Sequence, residues 1–196
     1  MEQNQIYMLF NQNVGEYNYL LRDGADEFLV EFCKNNHPKQ VLEIGTAYGY
    51  SAYLMASNCD CNIVTIELDK TKAQIARNNI KTVGLENQIT IICGDAKDEI
   101  KQLNQQFDLI FLDGPKGQYI KYLPTLIQLL KVDGTLIADN IYYQNRIFQE
   151  GVIPHKYRTI VNNLRKFIEE IQTNQSLQTT IYDIGDGISV SKKIKN

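Results

Sequence analysis

Tryptophan is absent, and the 196 residues include only four prolines, four cysteines and two histidines. Cys33, Cys59, Cys61 and Cys93 form no CxxC pair, so their spacing fits neither a zinc site nor a disulfide framework. Reduced thiols in a cytoplasmic protein are the expectation, with His37, His155 and the Cys59/Cys61 pair read as structural or surface residues. No apolar run approaches the ~20 residues needed to span a bilayer. Met1-Glu2-Gln3-Asn4 lacks the basic stretch of a signal peptide, so neither a membrane protein nor a secreted one is expected. There is no excess of basic charge either. The net charge of −3 argues against a strongly basic nucleic-acid binder. Without repeats, low-complexity tracts or linker-like stretches, the chain reads as a single domain over 1–196, with a helical extension over 1–40.

Hydrophobic residues make up 43% and charged residues 22%, which is the balance of a folded globular chain. A chain of this length buries roughly 70% of its unfolded surface, enough for a full core. The charge is unevenly spread. Residues 1–145 carry a net −6, and residues 146–196 a net +3, from Arg146, Lys156, Arg158, Arg165, Lys166, Lys192, Lys193 and Lys195. This basic bias either lines phosphates or is an ordinary solvated face.

Short β-branched runs at 41–44, 63–67, 89–92, 107–112 and 135–138 each stop at Gly or an acidic residue and precede a stretch of helix length. Near-continuous apolar runs suit parallel strands covered on both faces. Helices are predicted at 69–83, with an Asp69 N-cap and a Gly84 stop, at 119–130 and at 157–172. Two more, at 16–21 and 25–33, precede the first strand. The alternation breaks at the end, where 179–184 and 188–191 flank Gly185-Asp186-Gly187 as a β-hairpin. Five parallel strands and a terminal hairpin are the pattern of a Rossmann-like class I methyltransferase: an α/β fold, mostly parallel and seven-stranded, ending in an antiparallel hairpin with helices on both faces.

The first strand runs into Glu43-Ile44-Gly45-Thr46-Ala47-Tyr48-Gly49-Tyr50-Ser51. Gly45 and Gly49 permit close approach of backbone and ligand, and Gly45 can take a positive φ. The middle glycine of a dinucleotide fingerprint is out of register, and Glu43 would face a pyrophosphate with a like charge. The sulfonium and ammonium of S-adenosylmethionine are cations, which suit that carboxylate. Glu67 ends the second strand, where an acidic side chain accepts ribose hydroxyls; a capping or surface role is the plainer alternative. Asp95, in Gly94-Asp95-Ala96, either accepts from the adenine amine or simply caps the next helix.

Asp113 closes the fourth strand, and Asp139-Asn140 closes the fifth. Parallel neighbours bring these strand ends to one edge, so two carboxylates and an amide oxygen converge there. Their mutual repulsion is relieved by a hard cation, and oxygen donors suit Mg²⁺ better than zinc. Asp139 and Asn140 can both ligate only if the strand ends between them. Lys116, three residues after Asp113, is a candidate general base, with burial and a neighbouring dication expected to lower its pKa.

The stretches LEIGTAYGYSA, TIELD, GDA, FLDGPKGQY, DGTLIADN and GDGISVSKK resemble the catechol and caffeoyl-CoA type of Mg²⁺-dependent O-methyltransferases. Within that group the chain is most similar to bacterial tRNA 5-hydroxyuridine methyltransferases. The resemblance implies Glu43, Gly45, Ser51, Glu67, Asp95, Ala96 and Asp113 at the cofactor, Asp113, Asp139 and Asn140 at the metal, and Lys116 as base with Asp113 beside it. It further implies the 5-hydroxyl of a tRNA wobble uridine as acceptor, and a homodimer. A small catechol-like substrate and a non-catalytic adenosyl-binding protein are the competing readings. Gly114-Pro115 before the lysine and the segment before residue 20 depart from the group.

Overall fold

The β-branched runs become the strands of one sheet. The structure, a computed structural model, describes residues 3–11 and 24–196. In chain order these hold α1 (Gln3–Asn11), α2 (Ala25–Asn36), β1 (Gln40–Ile44), α3 (Tyr50–Asn58), β2 (Asn62–Glu67), α4 (Lys70–Thr82), β3 (Ile89–Cys93) and α5 (Ala96–Glu99). Then follow β4 (Phe107–Leu112), α6 (Tyr119–Leu129), β5 (Leu130–Ala138), α7 (His155–Thr173), β6 (Leu177–Tyr182) and β7 (Ile188–Lys193). The helix expected at 16–21 lies outside the described residues.

Among the described residues seven strands pair in the order β3-β2-β1-β4-β5-β7-β6. β1 to β5 are parallel, and β7 runs antiparallel to both β5 and β6. The chain leaves β1 on one side toward β3 and returns on the other with β4. That reversal opens a crevice beyond the carboxyl ends of β1 and β4.

Alternate residues of each strand feed two cores. Leu42, Ile44, Ile110 and Leu112 pack with Leu126 of α6 and Phe167 of α7. Val41, Ile63, Leu109 and Phe111 pack with Leu29 of α2, Met55 of α3 and Ile80 of α4. Helices therefore cover both faces, as the apolar runs imply. Asp69 caps α4 through bonds from the Thr71 and Lys72 amides. The helix predicted at 157–172 is α7, which buries Val161, Leu164, Phe167 and Ile171 along one face.

β5 differs from expectation. Expected at 135–138, it begins at Leu130 and takes in Val132-Asp133-Gly134. A register shift against β4 between Phe107 and Leu109, with Asp133 at φ 68°, accommodates these turn-forming residues.

Candidate active site

A cleft of about 1090 Å³ opens at the carboxyl edge of the sheet. Gly45, Ser51, Glu67, Asp95, Ala96, Asp113, Lys116, Asp139 and Asn140 all line it. Residues spread over almost a hundred positions meet here because parallel strands deliver their ends to one edge.

The turn after β1 depends on Gly45. Its φ is 106°, and a Cβ there would lie 2.3 Å from the Asp113 carbonyl oxygen. The Gly45 amide donates to Ile66 O at 3.0 Å and the Asp113 amide to Ile44 O at 2.9 Å. One glycine thus lets three strand ends close together.

Glu43, expected at the cofactor, is the exception. It is fully buried and is not among the cleft-lining residues. Its carboxylate accepts from Ser51 Oγ and, at 2.5 Å, from Thr65 Oγ1, which lies 2.6 Å from Thr46 Oγ1. Burial pushes the Glu43 carboxyl up to about 7, against the pull of the Ser51 and Thr65 hydroxyls. The side chain reaches the cleft-lining residues through Ser51 and, by way of Thr65, through Thr46.

Glu67 and Asp95 each line the cleft and each hold a nearby turn through backbone amides. Glu67 lines the cleft while accepting from the amides of Ala47 at 2.8 Å and Asp69 at 2.9 Å. Asp95 lines it while capping α5 through the Lys97 amide at 2.9 Å.

Leu112 and Ala138 are in register, so Asp113 and Asp139 leave adjacent strands side by side. Asn140 takes φ 53°, the left-handed turn that ends the strand and lets consecutive residues face one cleft. The Asn140 backbone amide and its Nδ2 both point at Asp139 Oδ1, at 2.7 and 3.2 Å. Asp139 is 2% exposed, and burial together with Asp113 pushes its carboxyl up to about 6. Among the described residues no cluster of three or more His, Cys, Asp and Glu forms a metal site. The set here is two crowded carboxylates and an amide, an oxygen-donor group that fits a hard cation.

Lys116 is held by two acceptors. Its Nζ donates to Asp113 Oδ1 at 2.6 Å and to the Tyr119 hydroxyl at 2.8 Å. Burial alone would lower its pKa, but Asp113, Tyr119 and Asp139 outweigh it and raise the value. With no cation between them, the two carboxylates hold the proton on the ammonium.

Tyr119, Tyr143, Gln144 and Asp186 escaped the sequence reading as site residues. The last three line the cleft. Both Asp186 oxygens accept from the Gln144 amide at 2.8 Å, tying the segment after Asn140 to the β6–β7 turn. The GDG turn carried that signal but was read only as a hairpin. The basic tail is partly consumed internally. Arg165 donates to Ile147 O at 2.8 Å and Gln149 O at 2.7 Å, Lys192 pairs with Asp133 at 2.9 Å, and Lys193 is buried on Ile127 and Leu130 carbonyls. Arg146 lies over the Tyr157 ring, 4.3 Å from its centroid.

A mostly parallel sheet with this switch point and antiparallel end is the Rossmann-like fold of the methyltransferases. The chain belongs to the O-methyltransferase family, whose sequence profile matches residues 15–194. It is 30% identical over 161 residues to a catechol O-methyltransferase of Niastella koreensis, covering 79% of this chain and 70% of the relative. It is 28% identical over 190 residues to caffeoyl-CoA O-methyltransferase 2 of Populus trichocarpa, covering 90% and 76%. In fold it is similar to an O-methyltransferase of Bacillus cereus solved in complex with SAH, with a TM-score of 0.86 at 22% identity, covering 98% and 92% of the two chains.

Proposed function

We propose that this O-methyltransferase is Mg²⁺-dependent and methylates an ionisable hydroxyl that has a second oxygen beside it on an aromatic ring, as in a catechol. The observation that carries the reading is the single cleft shared by Asp113, Lys116, Asp139 and Asn140 with Gly45, Ser51 and Glu67. Asp113, Asp139 and Asn140 would hold the metal, which when bound lowers the pKa of the acceptor hydroxyl. S-adenosylmethionine supplies the methyl group and leaves as S-adenosylhomocysteine. Glu67 accepts from the ribose hydroxyls and Asp95 from the adenine amine, with Ala96 beside it. Ser51, held by Glu43, and Asp113 serve the methionine end. With both carboxylates bound to the cation, the Lys116 ammonium would release its proton to solvent, and the free amine would then take the acceptor's. The cleft walls keep water from the sulfonium as its charge is lost.

The catechol and caffeoyl-CoA relatives support a small acceptor. A second reading places the same chemistry on the 5-hydroxyl of 5-hydroxyuridine in the tRNA anticodon, where the C4 carbonyl is the second oxygen. The exposed Arg158 and Lys166 on α7 favour it. A single domain assembled as a cytoplasmic homodimer completes the proposal. Methyl transfer from S-adenosylmethionine to 3,4-dihydroxybenzoate or to 5-hydroxyuridine tRNA tests it. Turnover should be lost in EDTA and restored by Mg²⁺; full turnover in EDTA overturns the metal.

A further inference from the structure

Tyr119 carries a polar group into a place that packing alone would give to phenylalanine. It is the first residue of α6 and is fully buried, with its ring edge-on to Phe167 of α7 at 5.4 Å between centroids. A Phe would keep that contact and would bury no hydroxyl. The hydroxyl instead makes three contacts, all within the site. It donates to Leu112 O, the last residue of β4, at 2.9 Å. Asp139 O, just past β5, lies 3.3 Å away. Lys116 Nζ donates to it at 2.8 Å. The Asp139 amide also donates to Leu112 O, at 3.1 Å, so Tyr119 closes the seam between the two strands that carry Asp113 and Asp139.

The direction of these bonds is fixed by atom count. A phenol has one proton, and both strand-end partners are carbonyls, so that proton goes to them. The oxygen then faces Lys116 only as an acceptor. One Lys116 N–H is directed at Tyr119 and another at Asp113 Oδ1, at 2.6 Å. A third position remains on the nitrogen, and Lys116 is one of the residues that line the cleft. A lysine side chain is otherwise long and freely rotating. Two acceptors on different elements, the end of β4 and the start of α6, remove that freedom.

We propose that Tyr119 is a positioning residue for methyl transfer, its hydroxyl aiming the Lys116 nitrogen at the acceptor oxygen from the joined ends of β4 and β5. This rests on the reading of Lys116 as the base.

The test uses the metal-free protein and Tyr119→Phe, with ¹³C,¹⁵N-lysine labelling and the Lys116 side-chain signal assigned by its loss in Lys116→Met. The parent should show a dispersed, ordered Lys116 Cε resonance, and Tyr119→Phe should move it to the averaged position of a mobile lysine. An already averaged signal in the parent overturns the proposal without any variant, should Tyr119→Phe not fold. In turnover of 3,4-dihydroxybenzoate or 5-hydroxyuridine tRNA with Mg²⁺, kcat of Tyr119→Phe should fall about tenfold or more, with the KM for S-adenosylmethionine near the parent's. A lowered melting temperature with parent-like kcat and an unmoved Lys116 signal reduces Tyr119 to a structural role and overturns it. Loss of kcat in Tyr119→Phe alongside full turnover in Lys116→Met overturns the reading of Lys116 as base instead, which separates the two failures.

Discussion

Glu67 engages both of its carboxylate oxygens with backbone amides, those of Ala47 and Asp69, before any ligand arrives. Acidic side chains keep lone pairs for further donors, so ribose hydroxyls can share the same oxygens. Glu67→Ala is expected to weaken S-adenosylmethionine binding by ~1–3 kcal/mol, by removing a charged acceptor and releasing the turn it clamps. Calorimetry with unchanged affinity would take Glu67 out of the site. Glu43 leads to a pH dependence instead. Its carboxyl is raised from 4.5 to about 7 by burial, so the native state keeps a proton that the unfolded chain releases earlier. Stability from this group is complete below about pH 4.5 and is lost as pH rises through about 7. The swing is roughly 3 kcal/mol. Glu43→Gln should flatten this part of the stability–pH curve in urea unfolding between pH 5 and 8; a parent-like slope in the variant removes Glu43 as its source.

Among the elements, the turn after β1 makes the sharpest demand. Gly45 combines φ 106° with a hypothetical Cβ 2.3 Å from Asp113 O, whereas Gly84 after α4 has φ 74° and open space around it. Gly84→Ala therefore carries only backbone strain, about 1–2 kcal/mol. Gly45→Ala adds a clash between strand ends and should cost roughly 3–5 kcal/mol. It should also displace Asp113 and so abolish turnover, which Gly84→Ala should leave intact. Paired unfolding and activity assays check both halves, and equal effects at the two glycines would contradict the close approach. The β6–β7 hairpin has a comparable function on the other side of the cleft, since its Asp186 restrains Gln144.

For the molecule as a whole, the acceptor is decided by what lies around the cleft. α7 presents Arg158 and Lys166 to solvent, while Arg165 holds the carbonyls of Ile147 and Gln149. Replacing Arg158 and Lys166 by Ala leaves that structural anchor in place. If tRNA is the acceptor, its binding should weaken, and the salt slope should become shallower by up to about one unit per lost phosphate contact. A small catechol touches no such phosphates, and its turnover should stay at the parent's level. Filter binding across a salt series, run beside a catechol assay, distinguishes the two readings. An unchanged tRNA slope makes this face a solvated surface.

Most of the fold was legible in the chain because it is written in local patterns. β-branched runs, Asp69 before α4, Gly45 in its turn and the Gly185–Gly187 hairpin each act within a few residues. The candidate site was largely legible too, since in a parallel sheet the residue after each strand must arrive at one edge; Asp113 and Asp139 needed no more than that. What the sequence could not decide was direction and charge. Only the folded chain buries Glu43, whose surroundings include Ser51 and Thr65 from two other elements. Only tertiary packing sets Asp113, Tyr119 and Asp139 around Lys116, which raises its pKa where burial alone would lower it. The basic tail, a simple count in one dimension, is split in the fold: Arg165 and Lys193 bind backbone carbonyls, Lys192 pairs with Asp133, and Arg158 and Lys166 stay in solvent. Local propensity sets which elements form, but the field at a buried charge is a sum over distant neighbours, and those are known only once the chain has folded.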